Sequence, residues 1–304
     1  MSTTEVPLHA TPRYLWQLLE PLHAVLYFAP ETKREAASLG LEGKGTAYVG
    51  FRAAPLGAVT AATLTAVFHG FHPRLIARAV TGSRARATPE QLVNARLSAV
   101  GGALRRLLPE AVHADTTTRL AELLGEAVLA TDVAGRPLAA ANRGLPTPEA
   151  PLLAVWHAAT VLREHRGDGH VAALVAAQLG PCTAHVVRAA TGAGSAEALQ
   201  TTRGWSHDDW VTSTTELQDR GWLDSAGALT VSGWREHRAY EQLTDDLAAG
   251  PWGHLGDGRL LEVVSLLHPL AAAVVAGGGV RVGGGLGSPW PPTPGAVAGM
   301  LSAS

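Results

Sequence analysis

A mainly α-helical chain with small β wings, arranged as two tandem repeats folded into a pseudo-two-fold intramolecular dimer, is the architecture the sequence predicts. Three observations lead there. Apolar residues recur at helical spacing through most of the chain, and Pro, Gly and short polar residues punctuate the runs. Residues of the first half reappear in the same order about 140 positions later. The stretch from Ser206 to Leu243 reads as a helix, two short strands about a turn, and a helix.

Residues 1–11 read as a loose lead. Leu15, Leu18, Leu22, Val25 and Leu26 then share a broad face of a first helix, which Pro21 should bend or restart. Pro30 and Glu31 open a second helix that Gly40 stops. A turn at 42–45 leads into 47–52, and a third helix is expected over 58–67. Pro73 opens another through LIARAV, Gln91 to Leu108 forms the next, and a long one covers Asp115 to Leu129.

In the second half the Arg-Gly-Asp-Gly at 166–169 reads as a helix stop and restart. Asp168 would cap the new helix through Val171, Leu174 and Val175. Ser206 with Asp209 three residues on is a capping-box pattern. Trp222-Leu223 and Ala228 to Val231, either side of Asp224-Ser225-Ala226-Gly227, are the expected wing. The matching stretch of the first half, 81–90, has no strand character. A long helix over Gly258 to Val275 would pack the halves together, and the Gly-rich stretch 277–287 reads as a flexible tail.

The correspondence between halves is colinear. Trp16 falls on Trp156, Leu22 on Leu162, and Leu39-Gly40 on Leu179-Gly180. With a small drift Arg52-Ala53-Ala54 meets Arg188-Ala189-Ala190. Arg119-Leu120 and Glu122 meet Arg259-Leu260 and Glu262. One such match is cheap in an Ala- and Leu-rich chain, but their order is not. The expected units are a winged-helix-like repeat over 12–148 and a second over 152–294.

With 304 residues, 46% hydrophobic and 16% charged, the chain can bury a large core. A formal charge of −2 gives no global attraction to nucleic acid or anionic membrane. Lys33 and Lys44 are the only lysines, so anion contacts would be made by the planar fork of Arg. The single cysteine, Cys182, excludes an internal disulfide framework and a Cys-rich zinc site. Leu260 to Ala276 reads as too short and interrupted to span a bilayer. No export signal precedes the first helix, so a cytoplasmic protein without membrane contact is expected.

Chemistry concentrates in WHAATVLREHRGDGH. His157 and Glu164, seven apart, lie about 20° from one another around a helix and can present an imidazole and a carboxylate together. The halves match in apolar framework and differ here: Gln17 faces His157, Ala24 faces Glu164, and Pro30 faces His170. EPLHAVLYFAPE, FRAAPLG, FHGFHP, this segment and RGWSHDDW resemble a set of actinobacterial helix-turn-helix proteins, loosely MarR-like regulators, over about Trp16 to Gly277. The resemblance implies a winged-helix fold and carries no agreed activity.

Two functions follow as expectations. The first is a small-molecule enzyme, a tailoring step in specialised metabolism, with a pocket between the repeats. His157, His165, Asp168 and His170 would do acid–base or metal-assisted chemistry. Arg52 and Arg163 would hold an anionic group. His23, Phe68, Phe71, His72, Trp156 and Trp205 would complete the binding wall. A transition metal is open to His157, Glu164 and His170, although their spacing is no known motif. The chain has no Walker sequence and no dinucleotide fingerprint, so no nucleotide cofactor is expected. The alternative is a ligand-responsive winged-helix transcriptional regulator. DNA contact is disfavoured in the second half, where Ser206 to Asp219 carries four acids and neither Arg nor Lys. Arg74, Arg78, Arg84 and Arg86 make the first half more permissive.

Overall fold

The computed structural model describes residues 11–43, 45–111, 114–281 and 289–292. All but residue 11 of the expected lead over 1–11, and residues 282–287 of the expected tail over 277–287, lie outside them. The first half carries α1 (Thr11–Phe28), α2 (Pro30–Ser38), α3 (Thr46–Ala53), α4 (Ala61–Val67), α5 (Pro73–Arg84), α6 (Pro89–Leu107), α7 (Asp115–Leu129) and α8 (Pro137–Arg143). The second carries α9 (Pro151–Ala176), α10 (Pro181–Ala190), α11 (Ala196–Arg203), α12 (His207–Asp219), α13 (Val231–Leu247), α14 (Gly250–Leu255) and α15 (Asp257–Ala276).

The small β wings are absent: the described residues contain no strand, only one isolated antiparallel bridge between Leu223 and Leu229. The flanks of the turn are too short for a ladder because caps consume them. Gly221, at φ 69°, ends α12, and the Trp222 amide closes back on the Leu217 carbonyl at 2.9 Å. Asp224 Oδ1 accepts from the amides of Ala226 and Ala228, both at 2.9 Å. Thr230 already serves as N-cap of α13, accepting from the Gly233 amide at 3.0 Å. Mainly α stands; the winged form does not.

The core is built around α9. This helix packs against α1, α7, α8 and α13, and sixteen of its residues are buried all round its circumference. Arg-Gly-Asp-Gly does not break it. Its glycines permit close approach: a Cβ on Gly169 would lie 2.7 Å from Arg136 Nη1 and 3.3 Å from Leu247 Cβ. Asp168 does cap a helix, but the neighbouring one, accepting at 2.9 Å from the Ala139 amide in the first turn of α8. Likewise α1 runs through Pro21, where fully buried Leu18, Leu19 and Leu22 offset the lost backbone bond.

α1 crosses α9 antiparallel, as three contacts in register show. Trp16 lies under Arg166 with the guanidinium 4.4 Å from the ring centre, Glu20 meets Arg163 at 3.1 Å, and His23 meets Thr160 at 3.1 Å. The last two are reciprocal, since positions 20 and 160 and positions 23 and 163 are each 140 apart. Behind this crossing α7 and α15 close the core through Leu120, Leu123, Leu124, Val263 and Leu267. α15 is longer than the sequence pattern indicated, 20 residues whose most apolar 18 average a hydropathy of 1.6, which is the length and apolarity of a bilayer-crossing helix. Here it packs on α1 and α7.

Candidate functional site

Two helix pairs have helix-turn-helix form. In the first half α4 and α5 are joined by residues 68–72; in the second, α11 and α12 are joined by residues 204–206, with Gly204 left-handed at φ 82°. The two turns are fastened to each other. The Gly70 carbonyl accepts from Trp205 Nε1 at 3.0 Å and from His185 Nε2 at 2.8 Å. The His72 amide donates to the Arg203 carbonyl at 2.9 Å. His72 is the N-cap of α5, its Nδ1 accepting from the Arg74 amide at 3.0 Å, and its ring meets Trp205 edge-on at 4.9 Å. Burial, with Arg203 adding, pushes His185 down to about 3, so the ring is neutral and donates through Nε2.

The outward faces of these helices differ in charge. On α5, Arg74, Arg78 and Arg84 are exposed, as is Arg86 just beyond it, and no Asp or Glu occurs between Pro73 and Pro89. On α12, Asp208, Glu216 and Asp219 are exposed, and Asp209 closes the capping box with Ser206.

Between the halves lies a cluster of ionised groups. Arg52 on α3 makes a bidentate pair with Glu164 on α9, both contacts at 2.8 Å. Arg163 bridges Glu164, at 2.9 Å, and Glu20, at 3.1 Å. Arg52 also donates to the Tyr48 hydroxyl at 3.2 Å and stacks over Phe68 at 4.7 Å. Although burial opposes it, Arg52 and Arg163 hold the Glu164 carboxyl well below the usual range. Burial alone would raise the Tyr48 phenol, yet Arg52, Arg203 and Arg163 together hold it below its ordinary value. Tyr27, Tyr48 and Phe71 continue the cluster as an aromatic row, with centroids 4.7 and 5.5 Å apart.

Arg203 extends the cluster, its guanidinium 4.3 Å from the Phe71 ring centre. Arg188 on α10 donates to the Ala193 carbonyl at 3.2 Å, and His170 and Arg166 lie 3.9 and 4.0 Å from the Glu241 carboxylate. These groups are enclosed by several helices yet keep solvent-accessible surface: 35% of the His170 side chain, 22% of Glu241 and 21% of Arg163. A small cleft, with room for about 10 Å³, lies between Trp16, Arg163, Arg166 and Trp252.

The expected site residues divide into three groups. Arg52, Arg163, Phe68 and Phe71 meet in the cluster together with Glu164, and His23 adjoins it, Nδ1 on Thr160 and Nε2 buried without a partner. His72 and Trp205 meet at the fastened turns. Trp156 is wholly buried beneath Arg96, 5.4 Å away, and donates to the His23 carbonyl. The four residues expected to do chemistry are not gathered. His157 is buried beside Arg96, and His165 is buried beside Arg136. Asp168 caps α8, and His170 hydrogen-bonds Thr244 at 3.0 Å. Spread along one helix at about 1.5 Å per residue, His157 and His170 are roughly 20 Å apart in rise. Among the described residues no three His, Cys, Asp or Glu side chains converge to hold a metal, so His157, Glu164 and His170 form no centre.

Glu20, Tyr27, Tyr48, Arg188 and Arg203 are the members that sequence reasoning missed. Tyr48 and Arg52 at i,i+4 on one helix, like Trp16 and Glu20, were the available signal. Arg188 and Arg203 stand in ordinary polar-face positions and gave none.

Comparison with curated proteins and with solved structures finds no match. The profile of a helix-turn-helix family spans residues 12–281, nearly all of the described chain, and with its two helix-turn-helix pairs the protein belongs to that helix-turn-helix family.

Proposed function

We propose that this protein is a ligand-responsive helix-turn-helix regulator that meets nucleic acid through α5. The observation that carries the reading is the exposed, acid-free arginine face of α5 beside the acidic face of α12. Phosphate attracts the first and repels the second, so contact is one-sided rather than symmetric. Guanidinium groups suit phosphate oxygens and guanine edges alike. The responsive part is the cluster at the junction, whose charged side chains come from helices of both halves and would shift α5 relative to α12.

Fluorescence anisotropy with duplex DNA at low salt tests this. Wild-type protein should bind, with affinity falling linearly in log salt. Arg74→Ala/Arg78→Ala should weaken binding roughly tenfold or more, and Asp208→Asn/Asp219→Asn should leave it equal or tighter. Equal binding by the arginine double variant, or loss of binding in the aspartate pair, would overturn the assignment.

A further inference from the structure

α5 and α12 present outward stripes of the same spacing and opposite sign. The exposed residues of α5 include Arg74, Ala77, Arg78, Thr81, Arg84 and Ala85, and those of α12 include Asp208, Val211, Thr212, Thr215, Glu216 and Asp219. Positions 74, 78, 81 and 85, like 208, 212, 215 and 219, follow the i, i+4, i+7, i+11 spacing of one helix face. With 12 and 13 residues the helices are also matched in length. Arginine stands at both ends of the first stripe and acid at both ends of the second. The middles are small or apolar, Ala77 and Thr81 on one helix and Thr215 and Val211, 49% exposed, on the other.

These charges are largely unused within the chain. Arg74, Arg78, Arg84, Asp208 and Asp219 enter no ion pair among the described residues. Glu216 has Thr183 at 3.1 Å and Arg220 at 3.7 Å. Asp209 is held below its ordinary value by hydrogen bonds from Ser206 and, to a lesser degree, by His72 and Arg74. Both helices leave from one place. α5 starts after His72 and α12 after Ser206, and these N-caps lie on the two turns that Gly70, Trp205, His72 and Arg203 fasten together. A wholly anionic partner suits the α5 stripe and is repelled by the α12 stripe. A partner that satisfies both must carry both signs at this spacing, and this chain is such a partner.

We propose that α5 and α12 form a self-complementary surface for a second copy of this chain, turned about a two-fold axis so that each copy's α5 lies on the other's α12. Such a pair makes the same contact twice and closes on itself. Complementary charge sets the register, whereas exposed ion pairs add little affinity, so the association is weak and salt-sensitive. Small side chains at the middle of each stripe let the two helices approach. The pair covers Arg74 and Arg78, so a second copy and DNA exclude one another. That last consequence rests on the regulator reading above; the self-association does not.

Sedimentation equilibrium of the full chain, without DNA, tests this. At low salt and high protein concentration a monomer–dimer equilibrium should appear, and it should dissociate as salt rises and screens the contact, a measurement that needs no variant to fold. Arg74→Glu/Arg78→Glu leaves two acidic stripes and Asp208→Arg/Asp219→Arg two basic ones, so each should weaken the dimer roughly tenfold or more. Mixed together, these two variants should pair with each other. A chain carrying all four reversals keeps the formal charge of −2 and should dimerise as the wild type does, which separates complementarity from net charge. A monomer under all conditions, a dimer that survives high salt and either reversal, growth beyond two copies, or no recovery in the mixture or the quadruple variant would overturn the proposal. DNA anisotropy keeps the two readings apart. A chain that dimerises in this way but takes no DNA retains this surface and loses the regulator assignment, and one that binds DNA as a constant monomer does the reverse.

Discussion

Glu164 is 1% exposed and stands between two guanidiniums. A buried ion pair of this kind repays its desolvation only in part, so its main consequence is one fixed arrangement of α1, α3 and α9 rather than net stability. The histidines of α9 are different, because nothing opposite in charge touches His157. Burial first, with Arg96 and Arg136 adding, pushes His157 and His165 down to about 4, and burial pushes His170 there too, against Glu241. An unfolded imidazole takes its proton near 6.5, so between about 6.5 and 4 the unfolded chain binds more protons and stability falls as pH falls. Asp168 works the other way. Burial raises its carboxyl to about 6, so the folded state holds that proton over part of the same window, and stability from this group falls as pH rises through it. His185, His23, His69 and His237 are pushed down as well, so the histidines outweigh Asp168. Thermal melts should therefore show a lower Tm at about pH 5 than at about pH 7.5, and His157→Phe should shrink the difference. A Tm that rises on acidification would show that these imidazoles are already charged in the fold.

At the scale of elements, local signals and long-range contacts part company. Pro30 with Gly40, and Ser206 with Asp209, mark their helices correctly because a cap is satisfied within a few residues of itself. The Arg-Gly-Asp-Gly of α9 carries the same composition as a stop, and only the packing of Arg136 and Leu247 on Gly169 makes it a point of contact. Gly233 is a second such position. A Cβ there would lie 2.1 Å from the Trp222 carbonyl oxygen and 2.9 Å from Leu229 Cδ2. The first is backbone and cannot swing aside, so α13 would have to move. Gly233→Ala should cost about 1–3 kcal/mol in urea unfolding and speed hydrogen exchange at the Thr230 amide, which is bonded to that carbonyl. A neutral effect on both would mean that the bridge at Leu223 does not constrain α13.

For the whole molecule the question is what holds the halves together. Across α7 and α15, Arg119 pairs with Glu262 and Arg259 with Glu126, all four about 37–42% exposed. Such pairs are largely screened by water and contribute little, whereas deleting a fully buried leucine costs about 2–5 kcal/mol. Leu267→Ala should therefore destabilise the protein severalfold more than Arg119→Ala in urea denaturation, and the opposite order would place the cohesion in surface charge.

The sequence by itself determined that the chain is mainly helical, where most helices begin, and that charged and polar residues crowd onto one segment. These follow from periodicity and capping, which are local. Tertiary structure decided that the wing has no strands, that α9 is continuous, that the four expected catalytic side chains are spread apart, and that Arg203 lies over Phe71 rather than in an ion pair. Each of those depends on which groups from distant helices meet, and a charge in a helix reads the same in sequence whether water or another guanidinium faces it.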